Sequence, residues 1–260
     1  MRSIRFVKAS ACGNDFIVAD AAGLTGEISD LTQAICDRHA GVGADGVEWI
    51  YPSDKGDIRA HLINSDGSYA EISGNGTRCV AAYYAADKNV KEVRVETGAG
   101  VKTCTVTKRD GRGFQFRTAM GRPEVGSPFT LDLGTGSARG IPVSMGNPHF
   151  VVFVNEFPAK WQSVAADIQR SERFPQGVNV EFVRTVSDCE LEARFFERGA
   201  GETMSSGTGT SAVAAGGIAI GRVHGRVQVN APGGPQWVTW EDELLLEGPA
   251  TLICRGEYFL

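Results

Sequence analysis

The sequence has no CxxC pair. Its six cysteines (Cys12, Cys36, Cys79, Cys104, Cys189 and Cys254) are spread along 260 residues, which argues against a disulfide ladder or a zinc ribbon. No apolar run approaches the roughly 18 residues of a membrane span. The stretch Met1-Arg-Ser-Ile-Arg-Phe-Val-Lys8 alternates charged and apolar residues like a strand and lacks the apolar centre of a signal peptide. There is no run of Lys or Arg, and the formal charge is −5, so nucleic acid and anionic membrane are disfavoured as partners. The four histidines (His39, His61, His149 and His224) show no metal-ligand spacing. GxxxxGK[ST] is absent, and Gly41-Val-Gly-Ala-Asp-Gly46 fits GxGxxG only formally, because it follows a helix instead of a strand. With 42% hydrophobic and 22% charged residues, these absences leave a cytoplasmic globular protein with free thiols, no metal and no cofactor.

What the sequence has in excess is glycine, 33 residues, and a pattern written twice. Gly13-Asn14 returns as Gly146-Asn147, an offset of 133, and each is followed by an apolar stretch. Asp37-Arg38 with Gly41-Val42 is echoed by Glu172-Arg173 with Gly177-Val178. Ser73-Gly-Asn-Gly-Thr77 returns as Ser206-Gly-Thr-Gly-Thr210, again 133 apart, and Val93-Arg-Val95 resembles Val227-Gln-Val229. One such match is chance; four in the same order at a near-constant offset indicate duplication. The expected architecture is α/β, with two pseudo-symmetric halves over 1–119 and 120–260. Each is a curved, mainly antiparallel sheet around a central helix.

Strands are expected at Ile4–Val7, Phe16–Ala19, Ile58–Ile63, Val93–Glu96, Val101–Thr107 and Phe114–Arg117. Their counterparts are Phe150–Val154, Leu191–Phe196, Val227–Val229 and Leu244–Glu247. Leu31–His39 has the spacing of an amphipathic helix. Thr77–Ala86 and Thr210–Ile220 are rich in small residues on every side, the composition of buried helices.

In each half the Ser-Gly-x-Gly-Thr loop precedes the buried helix. Unpaired N–H groups and partial positive charge at such a helix start favour an anion, and with no Lys in the loop a carboxylate fits better than a phosphate. If the two loops meet, Ser73 and Ser206 address opposite faces of one molecule. Removing a proton from one face of a tetrahedral carbon and returning it from the other inverts the centre without a cofactor. Glu197 and Arg198, aligned with Asn64 and Ser65, suit an ammonium and a carboxylate, and Asn14, Asn75, Asn147 and Asn179 bond both. Taken singly, each Asn is better explained as a turn residue or an Asx cap, and a lone loop as a capped turn.

These residues resemble a known family. Gly13-Asn-Asp-Phe16, Arg38-His-Ala-Gly-Val-Gly-Ala-Asp45, Asn64-Ser-Asp-Gly-Ser68, Gly74-Asn-Gly-Thr-Arg-Cys79, Met145-Gly-Asn-Pro-His149, Glu197-Arg-Gly-Ala-Gly-Glu-Thr203 and Gly207-Thr-Gly209 are similar to the motifs of the diaminopimelate epimerases, in order over nearly the whole chain. The resemblance implies a cofactor-independent isomerase of lysine and peptidoglycan precursor synthesis, interconverting LL- and meso-2,6-diaminopimelate in a cleft between two similar halves. It also implies a homodimer. Asn14, Asn64, Asn147 and Asn179 would hold the distal end of the substrate with Arg198. Gly74, Asn75, Gly207 and Thr208 would hold the reacting carboxylate, Glu197 and His149 would assist near the amine, and positions 73 and 206 would carry the two bases.

The sequence departs from that pattern where it matters most, because the family has Cys at both base positions and this chain has Ser73 and Ser206. A free thiol starts near pKa 8.5, about 1.4 kcal/mol per unit, and a helix start supplies up to about 2 kcal/mol, enough for thiolate near neutrality. An alcohol starts several units higher, so two unassisted serines would epimerise very slowly. Three readings stay open: a double active-site variant that binds without turnover, a Ser/Ser paralogue acting as another epimerase, isomerase or dehydratase, or a non-catalytic amino-acid-binding protein. Two further departures are Gly46, where the family often has a polar side chain on the ligand, and Cys254, where many members place an aromatic at the dimer contact.

Overall fold

The structure, a computed structural model, describes residues 2–24, 27–134 and 136–260. Its chain divides into two compact units: Met1–Thr118 with Gly248–Leu260, and Ala119–Glu247. The first runs β1 (Ser3–Ala11), β2 (Asn14–Asp20), α1 (Ile28–Cys36), β3 (Gly46–Tyr51), β4 (Ile58–Asn64), β5 (Tyr69–Ala70), α2 (Gly74–Lys88), β6 (Glu92–Thr97), β7 (Gly100–Asp110) and β8 (Gly113–Gly121). After β9 (Glu124–Val125) and β10 (Phe129–Asp132), the order repeats as β11 (Ser137–Ser144), β12 (Pro148–Phe153), α3 (Trp161–Gln169), β13 (Asn179–Ser187), β14 (Glu190–Glu197), β15 (Gly201–Thr203), α4 (Gly207–Ala219), β16 (Arg226–Ala231), β17 (Gly234–Trp240) and β18 (Leu244–Phe259).

Pairing is mainly antiparallel, with parallel pairs where a helix carries the chain across. In the first unit α1 separates the parallel strands β2 and β3, and α2 lies between the parallel strands β4 and β6. In the second, β12 and β13 flank α3, and β14 and β16 flank α4. A parallel pair needs a long crossover, which these helices supply. The period of two in each strand then sorts side chains between the helices. On β2, Phe16 and Val18 join the cluster around α2, while Ile17 and Ala19 join the one around α1. On β3, Val47 and Trp49 face α1 and Ile50 faces α2. Glu48, between them, points to the α2 side, toward Gly76.

Helices α2 and α4 are buried over most of their length, with Cys79–Ala82 and Ala212–Ala215 fully inaccessible. No helix among the described residues is long and apolar enough to cross a membrane.

Three sequence expectations are corrected. The segment Gly248–Leu260, assigned above to the second half, belongs to the first unit, because β18 continues past Glu247 and pairs antiparallel with β1 from Thr251 to Phe259. The first helix covers Ile28–Cys36 instead of Leu31–His39, because Asp37 leaves the helix and its carboxylate accepts from the His39 and Ala40 amides, both at 2.7 Å. Strands β3, β5, β9, β10, β11, β13, β15 and β17 and the helix α3 were not anticipated.

Candidate active site

Both serines cap their helices. Ser73 has extended backbone and its Oγ accepts from the Gly76 amide at 3.1 Å; Ser206 does the same with Gly209 at 3.2 Å. The capped-turn reading therefore holds, but it uses only a lone pair and leaves each hydroxyl proton to be placed. In the second unit it has an acceptor: Ser206 Oγ donates to Glu197 Oε2 at 2.8 Å. Thr203 donates to the other oxygen, Oε1, at 2.7 Å. Accepting at both oxygens is the bonding of an ionised carboxylate, so Ser206 and Glu197 form a hydroxyl-carboxylate dyad at the start of α4. Ser73 has no such acceptor among the described residues.

In the first unit, Asn14 and Asn75 belong to a polar chain. Asn75 donates to Asn14 Oδ1 at 2.7 Å, and Asn14 donates to Asp45 Oδ2 at 3.1 Å. Arg78, wholly buried, donates to Asn75 Oδ1, to Cys12 Sγ at 3.5 Å and to the Pro249 carbonyl at 3.2 Å. At the far end Arg38 grips Asp15 and Asp45 at 2.7 and 2.8 Å. Burial works to raise the Asp15 pKa, but hydrogen bonds from Arg38 and Lys8 outweigh it and hold the carboxyl below its ordinary value. Asn64 donates to Ser68 within its own turn at 3.0 Å.

The second unit carries Asn147, His149, Asn179 and Arg198. His149 and Glu181 are in contact at 2.7 Å between Nδ1 and Oε1, with both side chains inaccessible, and His149 Nε2 meets Asn147 Oδ1 at 3.0 Å. Burial pushes the Glu181 carboxyl pKa up, and the neighbouring His149 only partly offsets this. Its Oε2 is buried with no partner among the described residues, a place that suits the carbonyl oxygen of a neutral acid far better than a carboxylate oxygen. With Nδ1 engaged by Glu181 and Nε2 by Asn147, the His149 ring is fixed between them and links the buried acid to Asn147. Asn147 in turn donates to Thr208 Oγ1 at 3.4 Å. Asn179 donates to the Pro148 carbonyl at 3.0 Å and accepts from the Arg198 amide at 2.9 Å, while Arg198 is exposed and donates to the Gln176 carbonyl.

The predicted residues thus gather into two sets, Asn14, Asn64, Ser73, Gly74 and Asn75 in the first unit, and Asn147, His149, Asn179, Glu197, Arg198, Ser206, Gly207 and Thr208 in the second. Sequence reading missed the supporting acids Asp45, Glu48 and Glu181 and the buried Arg78. The duplication held a signal for two of them: Val47-Glu-Trp-Ile50 and Val180-Glu-Phe-Val183 stand 133 apart, each an acid inside an apolar strand.

The diaminopimelate epimerase family model matches residues 6–125 and 141–253. A diaminopimelate epimerase of Carboxydothermus hydrogenoformans is 37% identical, over 99% of this chain and 100% of that protein. One from Methanothrix thermoacetophila is 39% identical, over 98% of this chain and 96% of its own. Among solved structures, a hydroxyproline epimerase from Agrobacterium vitis shares the fold, with a TM-score of 0.72 at 16% identity, over 99% of this chain and 91% of that one. Sequence motifs, repeat topology and these similarities agree on an isomerase of the amino-acid epimerase class, and the chain belongs to the diaminopimelate epimerase family.

Proposed function

We propose that the protein epimerises 2,6-diaminopimelate between its LL and meso forms by two-base proton transfer, with Ser73 and Ser206 addressing opposite faces of one α-carbon. The single observation carrying this reading is the Ser206–Glu197 hydrogen bond of 2.8 Å. It answers, at position 206, the objection to serine raised by the sequence. As Ser206 Oγ takes the α-proton, its own proton passes to Glu197, so no free alkoxide has to form. The amides at the starts of α2 and α4, with Gly74, Asn75, Gly207 and Thr208, stabilise charge developing on the substrate carboxylate. Asn14, Asn64, Asn147, Asn179 and Arg198 hold the distal ammonium and carboxylate. The reaction needs no cofactor, because the proton leaves and returns without an electron sink.

The test is α-proton exchange in D₂O, followed by NMR, with LL- and meso-diaminopimelate as separate substrates. Exchange with interconversion is expected, and Ser206→Ala should slow it by about 10²–10⁴-fold. Calorimetric binding without exchange would replace this reading with that of an amino-acid-binding protein, and a keto-acid product would replace it with that of a dehydratase.

A further inference from the structure

Ser206 has a carboxylate behind it and Ser73 does not, yet a second acid lies against the start of α2. Glu48 points from β3 into the α2 side of the sheet and is 3% exposed. A Cβ placed on Gly76 would overlap Glu48 Oε1 and would lie 3.2 Å from Ser73 Cβ, so the carboxyl and the serine flank the same small space, kept open by a glycine. No hydrogen bond to the Glu48 carboxyl occurs among the described residues, and the Ser73 hydroxyl proton has no acceptor among them. A carboxyl buried inside an apolar strand with nothing to hold it is costly, and burial alone pushes its pKa up to about 8.

We infer that Glu48 is the proton store behind Ser73, as Glu197 is behind Ser206, so that the two serines are backed by acids in opposite protonation states. This rests on the two-base reading above. In one direction Ser206 Oγ accepts the substrate Cα–H proton while its hydroxyl proton moves to ionised Glu197. The carbon's electron pair then takes the Ser73 hydroxyl proton from the other face, and neutral Glu48 reprotonates Ser73. One proton has entered Glu197, one has left Glu48, and the reverse direction restores both. Environments that set two carboxyls apart in this way assign the acid and the base. Glu48 acts through Ser73 and is a positioning residue; it does not touch the reacting carbon.

The experiment measures α-proton exchange in D₂O from each stereoisomer separately, in Glu48→Gln, Glu197→Gln, Ser73→Cys and Ser73→Cys/Glu48→Gln proteins. Glu48→Gln should lower exchange from one isomer at least tenfold more than from the other, and Glu197→Gln should show the opposite preference. In the Ser73→Cys background Glu48→Gln should change exchange less than twofold, because a thiol ionises without a carboxylate behind it. Equal slowing of both isomers, or a loss that persists once position 73 carries a thiol, would make Glu48 merely structural and overturn the inference alone. Absence of exchange from both isomers in the unaltered protein would overturn the two-base reading, and this inference with it.

Discussion

The two units share a backbone plan and differ in how each treats the acid beneath its helix. Glu48 and Glu181 hold equivalent places on β3 and β13. In the second unit the acid has His149, which stands where the first unit has Phe16, an offset of 133. In the first unit Phe16 belongs to the apolar cluster around α2 and offers the acid nothing. Glu181 is therefore tied into a relay that orients Asn147, and Glu48 is left to ionise or not according to its surroundings. Duplication copies the frame; the polar groups lodged in it then diverge separately, because a buried charge is tolerable only with local partners.

The largest test of this contrast is pH. The Glu48 pKa in the folded protein, about 8, lies above its ordinary value of 4.5, so its favourable contribution is complete below pH 4.5 and is lost as pH rises through 8. Stability should fall by up to about 1.4 kcal/mol per unit across that window, about 5 kcal/mol in all. Urea denaturation at stepped pH should show this slope, and Glu48→Gln should flatten it; an unchanged slope would mean that other groups set it. Next in size is His149→Phe, which makes the second unit resemble the first. Stranding the buried Glu181 carboxyl should cost about 2 kcal/mol, read as a lower urea midpoint at constant m-value, whereas equal stability would show that the pair holds nothing in place. The smallest effect separates Gly209→Ala from Gly76→Ala. At Gly209 a Cβ meets packed Phe195 at 2.8 Å, Ser206 Cβ at 2.9 Å and the pinned Glu181 at 3.0 Å; at Gly76 the severe overlap is with the untethered tip of Glu48. Gly209→Ala should be the worse by about 1–2 kcal/mol, and the reverse order would place Glu48 as firmly as Glu181.

The duplication, the buried helices and the two serine loops were legible in the sequence because each rests on local chemistry: a repeated motif, a run of small residues, a cap. The strands β3 and β13 were not, since Gly46–Tyr51 and Asn179–Ser187 break their apolar runs with an acid, and alternation cannot show that a crossover helix will cover that face. Ser206 was legible as part of the loop before a buried helix, but its link to Glu197 was not. Glu197 ends β14 and Ser206 caps α4, with β15 between them, and the β14–β15 turn, where Glu197 pairs with Gly201, brings the carboxylate back to the loop. The relay through His149 needed the parallel register that sets β12 beside β13, which no spacing in the sequence encodes.

The path of β18 has a bearing on how the molecule is made. Ser3 pairs with Phe259 and Ser10 with Thr251, so β1 is synthesised long before the strand that covers it. Until then one side of β1 lacks its neighbour, and a bare strand edge invites pairing with other chains. Synthesis should thus favour folding of the elements between β1 and β18 before β1 is enclosed, with β18 acting as a late clasp.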